Sequence, residues 1–511
     1  MRPPLSYISR TVLIVIAVGA VAVSVHQSQY WIDALGAVRA PLLMIATAAF
    51  ALGLVFAALR AKAPVAQRLA LEIVTLVFVL IAVEFCIISV RPATWTADPV
   101  ARESLQSEGF ATKLGIDFDS RTASEVVNDL RAEGVDALPG IGRGWARRPE
   151  VRSQLAPDFY PLSQASNATI VECNENGEYL VYRTDELGFN NPSGLLLGEK
   201  RIDIAVVGES HALGHCVKAG RSFVDVIRRA HPRTVNLGLA DTRSLSQLAS
   251  FREYVEPLRP RIVLWVVNPG FAADTEESRD PILVRYLEPG FSQGLIRRQD
   301  EVDAAVRHLS PPIRAAGDRA LKAEMSRARA ERFRRVPKLD QVRQQLGPRH
   351  KENVAHPDLS LFSAALQAAR VATDAWGGRL LVVVMPEYGL LLGQRPEQVR
   401  YESVMRLLHE QALPVIDGAA LFRSQEDPTR LFALGAGGHP DAQGHALIAK
   451  QVLAELRRQG IGPDDQEAVD VDKRAFDANS KSVRARLRAA SRLLSLTFAR
   501  ERDSMELAEA R

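Results

Sequence analysis

Ser210 stands in VVGESHALGHCV, residues 206–217, where an apolar run breaks at a Gly-Glu-Ser-His turn. A serine hydroxyl is a weak nucleophile and needs an adjacent base, usually histidine. HPDAQGH at 439–445 supplies two imidazoles far along the chain, and either His439 or His445 serves if the fold closes the gap. His211 and His215 are too local to be the first choice: neighbours on a tight turn point elsewhere, and His215 is expected on the following helix. A Ser-His pair of this kind attacks an acyl carbonyl. The oxyanion then takes the Ser210 backbone N–H and further donors, for which Asn236 and Asn268 are candidates. The alternative is structural, with Ser210 capping the next helix and His439 bonding only a loop. His439, Asp441 and His445 follow no recognised ligand spacing, so no metal and no other cofactor is expected.

From residue 201 the sequence alternates short apolar runs with amphipathic helical stretches. Strands are expected at 202–207, 234–237, 262–267, 380–385 and 414–416, with helices between them and a last one over 442–459. Continuous apolar strands alternating with helices predict a parallel sheet covered on both faces, a three-layer doubly wound α/β fold. Ligands in such sheets bind at the carboxyl ends of the strands. Ser210, Asn236, Asn268 and the HPDAQGH segment all follow strands, so all fall on that edge.

Before the sheet, residues 123–135 have helical spacing, LPGIGRGWARRPE reads as a loop, and TIVECNENGEYLVYR reads as a hairpin about an Asn-Glu-Asn-Gly turn. Between the third and fourth strands lies an insertion, 269–357, with two helix-forming stretches, EVDAAVRHLSPP and IRAAGDRALKAEMSRARAERFRRV, the second strongly basic. It is placed to act as a lid or a solvated arm, and its arginines suit an anionic polymer.

GES after the first strand, NLG after the second and HPDAQGHALIA near the end resemble the blocks of SGNH (GDSL-like) hydrolases. YRTDELGFNNP, CNENGEY and GHCV extend the likeness to membrane-anchored SGNH-type proteins of bacterial surface polysaccharide systems, over roughly residues 165–455. The resemblance implies that Ser210 is the nucleophile and His439 the general base. It also implies cleavage or transfer of acyl esters, often acetyl groups on sugars. Four positions depart from the family pattern. Glu209 replaces the Asp of the serine block, and the second-block Gly falls on Ala240 or Asp241. Ala272 stands where the third block expects Asn, and Ala436 stands three residues before the base in place of Asp. Glu387, Asp417 or a backbone carbonyl is left to orient His439. A rival reading follows from those losses: a catalytically degraded domain acting as a glycan-binding or scaffold subunit of polysaccharide export machinery.

The first 92 residues differ from the rest. Three apolar runs, near 12–31, 40–59 and 69–90, each approach the ~20 residues that span a hydrocarbon core. Arg2, Arg10, Arg60, Lys62 and Arg68 flank two of the loops and only Arg39 the other, which puts the N-terminus in the cytoplasm and the main domain outside the inner membrane. Trp31 and Trp95 suit the interface, and Glu84 within the third run faces a polar partner or reaches the headgroups. In an oxidising compartment Cys173 and Cys216, the only cysteines besides Cys86, are expected to pair. A formal net charge of +4 over 511 residues gives no nucleic-acid signal. The expected organisation is a membrane anchor (1–92), an exported lead-in (93–200), the α/β domain (201–460) and a charged helical tail (461–511). The expected partners are the membrane, a glycan and polysaccharide assembly proteins.

Overall fold

A computed structural model describes residues 5–26, 45, 48–56, 58–90, 99–140, 142–196, 201–273, 276–334 and 355–462. Trp31, Trp95, residues 335–354 of the insertion and nearly all of the tail lie outside them. The chain divides into two units, residues 1–92 with 329–349, and 93–328 with 350–511.

In the larger unit the first two strands, β1 (Ala137–Pro139) and β2 (Thr169–Val171), pair in parallel, and β3 (Val181–Arg183) runs antiparallel to β2. The β2–β3 connection is the Asn-Glu-Asn-Gly turn. The helix Ala123–Ala132 packs on this small sheet, opened by a capping box between Thr122 and Glu125. The segment expected as a loop instead carries β1, a 3₁₀ turn Arg143–Arg147 and a short helix Pro149–Arg152. A tertiary bond fixes that turn: Gly144 N–H donates to Asp241 Oδ2 at 2.7 Å.

The main sheet holds β4 (Ile204–Gly208), β5 (Thr234–Asn236), β6 (Ile262–Val267), β7 (Arg379–Val384) and β8 (Val415–Asp417), in the order β5-β4-β6-β7-β8, all parallel. Alternate residues feed two cores. Ala205, Val207, Val263, Trp265 and Val382 join one face, with the helices Ser244–Ser250 and Ser360–Ala375. Ile204, Val206, Leu264, Val266 and Val383 join the other, with the helices Phe223–Ala230 and Ala442–Arg458. This is the expected three-layer doubly wound arrangement. Its strand order reverses between β4 and β6, which opens a crevice at their carboxyl ends.

The two helical stretches of the insertion form one helix, Gln299–Arg334, that runs through Pro311 and Pro312. It packs on the lead-in: Arg307 pairs with Asp136, Lys322 with Glu125, and Arg314 donates to the carbonyls of Gly140 and Glu172. These contacts hold the helix together across a proline pair that would break an isolated one.

In the smaller unit the helices Leu5–His26 and Ala63–Val90 pack with helical residues 48–56 through alanines and two leucines, Leu13 and Leu54. Ala17, Ala51, Ala66 and Ala70 are buried, whereas Leu52, Phe56, Leu71 and Phe78 face outward. Leu13 and Leu54 are buried with these alanines, and the large apolar groups outside suit a lipid surround. One described stretch, Ala63–Ile81, is long and apolar enough to cross a membrane, while Tyr7–Val18 is shorter. Glu84 and Cys86 fall on the helix that contains Ala63–Ile81.

Candidate active site

β4 ends at Gly208 and turns at once into the short helix Ser210–Leu213. The turn is tight because Gly208 sits against Val266 and Ala212, where a Cβ would approach both within 3.0 Å. The helix cap is Glu209, whose carboxylate accepts from His211 N–H. Ser210 therefore occupies the first helical position, where its own N–H lacks an intrahelical acceptor and points outward.

His439 arrives from the far end of the chain. Gly437 and Gly438 precede it with φ of +124° and +70°, and a Cβ on Gly438 would lie 2.4 Å from Glu175 Oε2 and 2.9 Å from Glu103 Oε1. Only glycine lets the chain pass so close to two carboxylates. His439 Nε2 lies 2.8 Å from Ser210 Oγ. Its Nδ1 lies 2.8 Å from Glu175 Oε1, and its backbone N–H donates to Glu175 Oε2, also at 2.8 Å.

The hydroxyl, imidazole and carboxylate thus form one chain of contacts. Sequence reasoning placed the first two but not the third. Glu387 instead pairs with Arg400 at 3.2 Å. Asp417 caps the helix Gly418–Arg423 and accepts from the Tyr401 hydroxyl at 2.6 Å. Neither carboxylate bonds His439.

His445 is excluded as the base by packing: its Nδ1 accepts from Phe223 N–H at 3.1 Å and its ring stacks on Phe223, fully buried. Burial and the neighbouring His211 and His439 push its pKa down to about 3, so it stays neutral. Asn236 Nδ2 donates to Ala212 O and its Oδ1 accepts from Gly238 N–H, both at 2.9 Å, so its amide ties the Ser210 helix to β5. Asn268 caps the helix Pro269–Ala272 through Oδ1, leaving Nδ2. Gly208 and Val266 are register partners, so Ser210 and Asn268 leave adjacent strands at the same rim. Asp241, after β5, sits in the left-handed region with φ +57°.

His211 and His215 lie nearer the centre than their local positions suggested. Their ring centroids are 4.9 and 5.0 Å from that of His439. His215 follows the Ser210 helix rather than lying on it.

Charge sets the protonation pattern. Burial disfavours the His439 cation, but Glu175, aided by Glu103 and Glu209, outweighs that and lifts the ring to about 9. Burial would likewise raise Glu175, yet the His439 contacts hold it down at about 2. Glu209, also buried, is held at about 2 by His211 and by the Ser210 hydroxyl, 2.6 Å from its Oε2. Burial, reinforced by Glu175, raises Glu103 to about 7. Both shifts favour the imidazolium–carboxylate form of the His439–Glu175 pair, and the Ser210 hydroxyl donates to Glu209 Oε2.

A disulfide joins Cys173 to Cys216, with Cα atoms 5.2 Å apart. It fastens the loop carrying Glu175 to the segment following Ser210.

No family model matches the chain, and no curated protein matches it. Among solved structures it is similar to a lipolytic protein of the G-D-S-L family from Desulfitobacterium hafniense, at 13% identity over 49% of this chain and 97% of that one, TM-score 0.28. An acetylxylan esterase from Geobacillus stearothermophilus aligns at 14% identity over 50% of this chain and 96% of that one, TM-score 0.28. A two-domain esterase active on acetylated mannans aligns at 13% identity over 52% of this chain and 51% of that one, TM-score 0.27. Scores and identities at this level leave the chemistry of the site to its own geometry.

Proposed function

We propose that the chain is a serine-dependent ester hydrolase or O-acyltransferase that works on acyl esters, acetyl above all, of a glycan outside the cytoplasmic membrane. One observation carries the reading: the continuous Ser210–His439–Glu175 contact, 2.8 Å at each ring nitrogen. Neutral His439 removes the Ser210 proton as Oγ attacks the ester carbonyl, and Glu175 stabilises the imidazolium that forms. The tetrahedral oxyanion is taken by the Ser210 N–H, with Asn268 Nδ2 as second donor. His439 then protonates the departing alcohol, leaving the acyl group on Ser210. Neutral again, the ring deprotonates water for hydrolysis, or a sugar hydroxyl for transfer.

The disulfide supports an oxidising location, and the outward-facing apolar side chains of the smaller unit support three membrane-embedded helices with the main domain in the periplasm. Polysaccharide assembly proteins are the natural partners of a chain so placed. The scaffold reading rested on the missing block residues; Glu175 answers one of those losses by supplying an orienting carboxylate, which favours the enzyme.

The test is labelling by a fluorophosphonate probe together with hydrolysis of a p-nitrophenyl ester. Wild type labels and turns over; Ser210→Ala does neither. Equal labelling of the two proteins, or none of wild type at pH 9, refutes the enzyme reading in favour of the scaffold.

A further inference from the structure

We propose that His215, Glu175 and His439 form a zinc site that switches the serine chemistry off when filled. His215 Nε2 faces the buried Glu172 Oε2 at 3.5 Å, a carboxylate that favours a proton on Nε2. Nδ1 then carries a lone pair, and it is buried with no hydrogen-bond partner. A buried acceptor without a donor needs a cation or a water to satisfy it. The Glu172–His215 arrangement is the one in which a carboxylate behind a histidine raises its strength as a ligand.

One ligand atom each from Glu175, His215, Cys216 and His439 lie within 4.8 Å of one another. Ligands on a tetrahedral zinc sit about 2.0–2.2 Å from it through nitrogen or oxygen, so modest side-chain rotation closes the set. The Cys216 sulfur is held in the disulfide and offers no thiolate. That leaves two imidazoles and one carboxylate, a zinc-type set with one position open to water. The side chains of His215, His439 and Glu175 keep 20%, 18% and 11% exposure, so an ion can enter.

Zinc and acyl chemistry exclude each other. Coordination takes a lone pair of the His439 ring and draws Glu175 from its orienting role. The ring can then no longer accept the Ser210 proton.

The binding half of this proposal stands on geometry alone, and the inhibitory half rests on the function proposed above. Titrating zinc chloride calorimetrically into the full-length Ser210→Ala chain tests binding without turnover. One zinc per chain is expected, weakened at least about 100-fold when His215→Ala is added. In the wild-type background, the turnover of His215→Ala and His215→Gln is read relative to each variant's own metal-free value. Both should resist zinc concentrations that silence wild type, whose activity a chelator restores. No stoichiometric zinc, or equal affinity with and without His215, overturns the site. Zinc that binds through His215 yet leaves wild-type turnover unchanged overturns the inhibitory half. Zinc bound through His215 with no turnover in any protein upholds the site and refutes the hydrolase reading instead.

Discussion

Glu175 accepts two hydrogen bonds from His439, one from the backbone N–H and one from ring Nδ1, each 2.8 Å long. The paired contact fixes both the position of the imidazole and its tautomer, because a proton on Nδ1 leaves Nε2 free to face Ser210. Glu175→Gln keeps the size of the group but can present its amide to Nδ1 and stabilise the wrong tautomer. The kcat for ester hydrolysis should fall by roughly 10³- to 10⁴-fold, with KM little changed. Glu387→Gln and Asp417→Asn, which alter carboxylates away from the ring, should each stay within several-fold of wild type in the same assay.

The carboxylates around His439 also fix the pH dependence. The ring, raised to about 9, must lose its proton before it can act as a base. The rate of Ser210 acylation should therefore climb through neutral pH and level off only above about 9. Removing a negative charge beside an imidazolium lowers its pKa, so Glu175→Gln should move that limb to lower pH even as its plateau drops. Glu103→Gln should move it in the same direction by less, since Glu103 contributes after Glu175 and is itself half-neutral near pH 7. A pH profile of kcat/KM for the three proteins decides this. A limb fixed near 6.5 in all of them would show that the carboxylates do not control the base.

The disulfide between Cys173 and Cys216 spans a sequence separation of 43 residues. Loop-closure entropy in the unfolded chain assigns such a link about 2–4 kcal/mol. Cys173→Ala with Cys216→Ala should lower the thermal midpoint of the larger unit measurably. Because Glu175 lies two residues from Cys173, the ester kcat should also fall, at temperatures where the protein remains folded. Full activity in the double variant would mean that the Glu175 loop holds itself in place.

The sheet was legible because its strands are continuous apolar runs separated by amphipathic helices, and burial on both faces leaves little else such a pattern can do. Ser210 and His439 were legible by residue type and by their place after strands. Glu175 was missed because it enters from outside the sheet, on the turn between β2 and β3, and no local pattern marks its partner. A signal did exist: a Cys173–Cys216 pairing puts the residues around Cys173 beside the serine loop, and Glu172 and Glu175 are acidic residues within that reach. The insertion was read as two helix-forming stretches, whereas a single helix runs through Pro311 and Pro312. Salt bridges and carbonyl contacts from Arg307, Arg314 and Lys322 hold that helix against the lead-in, and such long-range pairing has no signature in the segment itself.

Asn268 gives the sharpest test of the oxyanion assignment, because its two side-chain atoms do separate jobs. Oδ1 accepts from Gly270 N–H at 2.8 Å and caps the helix Pro269–Ala272, while Nδ2 is left for a ligand at the rim beside Ser210. Asn268→Asp retains an oxygen for the cap and replaces the donor with a second acceptor. Stability should hold to within about 1 kcal/mol, as expected when a cap is preserved. The kcat should fall about 10²- to 10³-fold, the loss typical of one missing oxyanion donor, with a further contribution from charge repulsion. Asn268→Ala should lose both the cap and the donor. Equal kcat in wild type and Asn268→Asp would remove Asn268 from the oxyanion site and leave Ser210 N–H to act with another group.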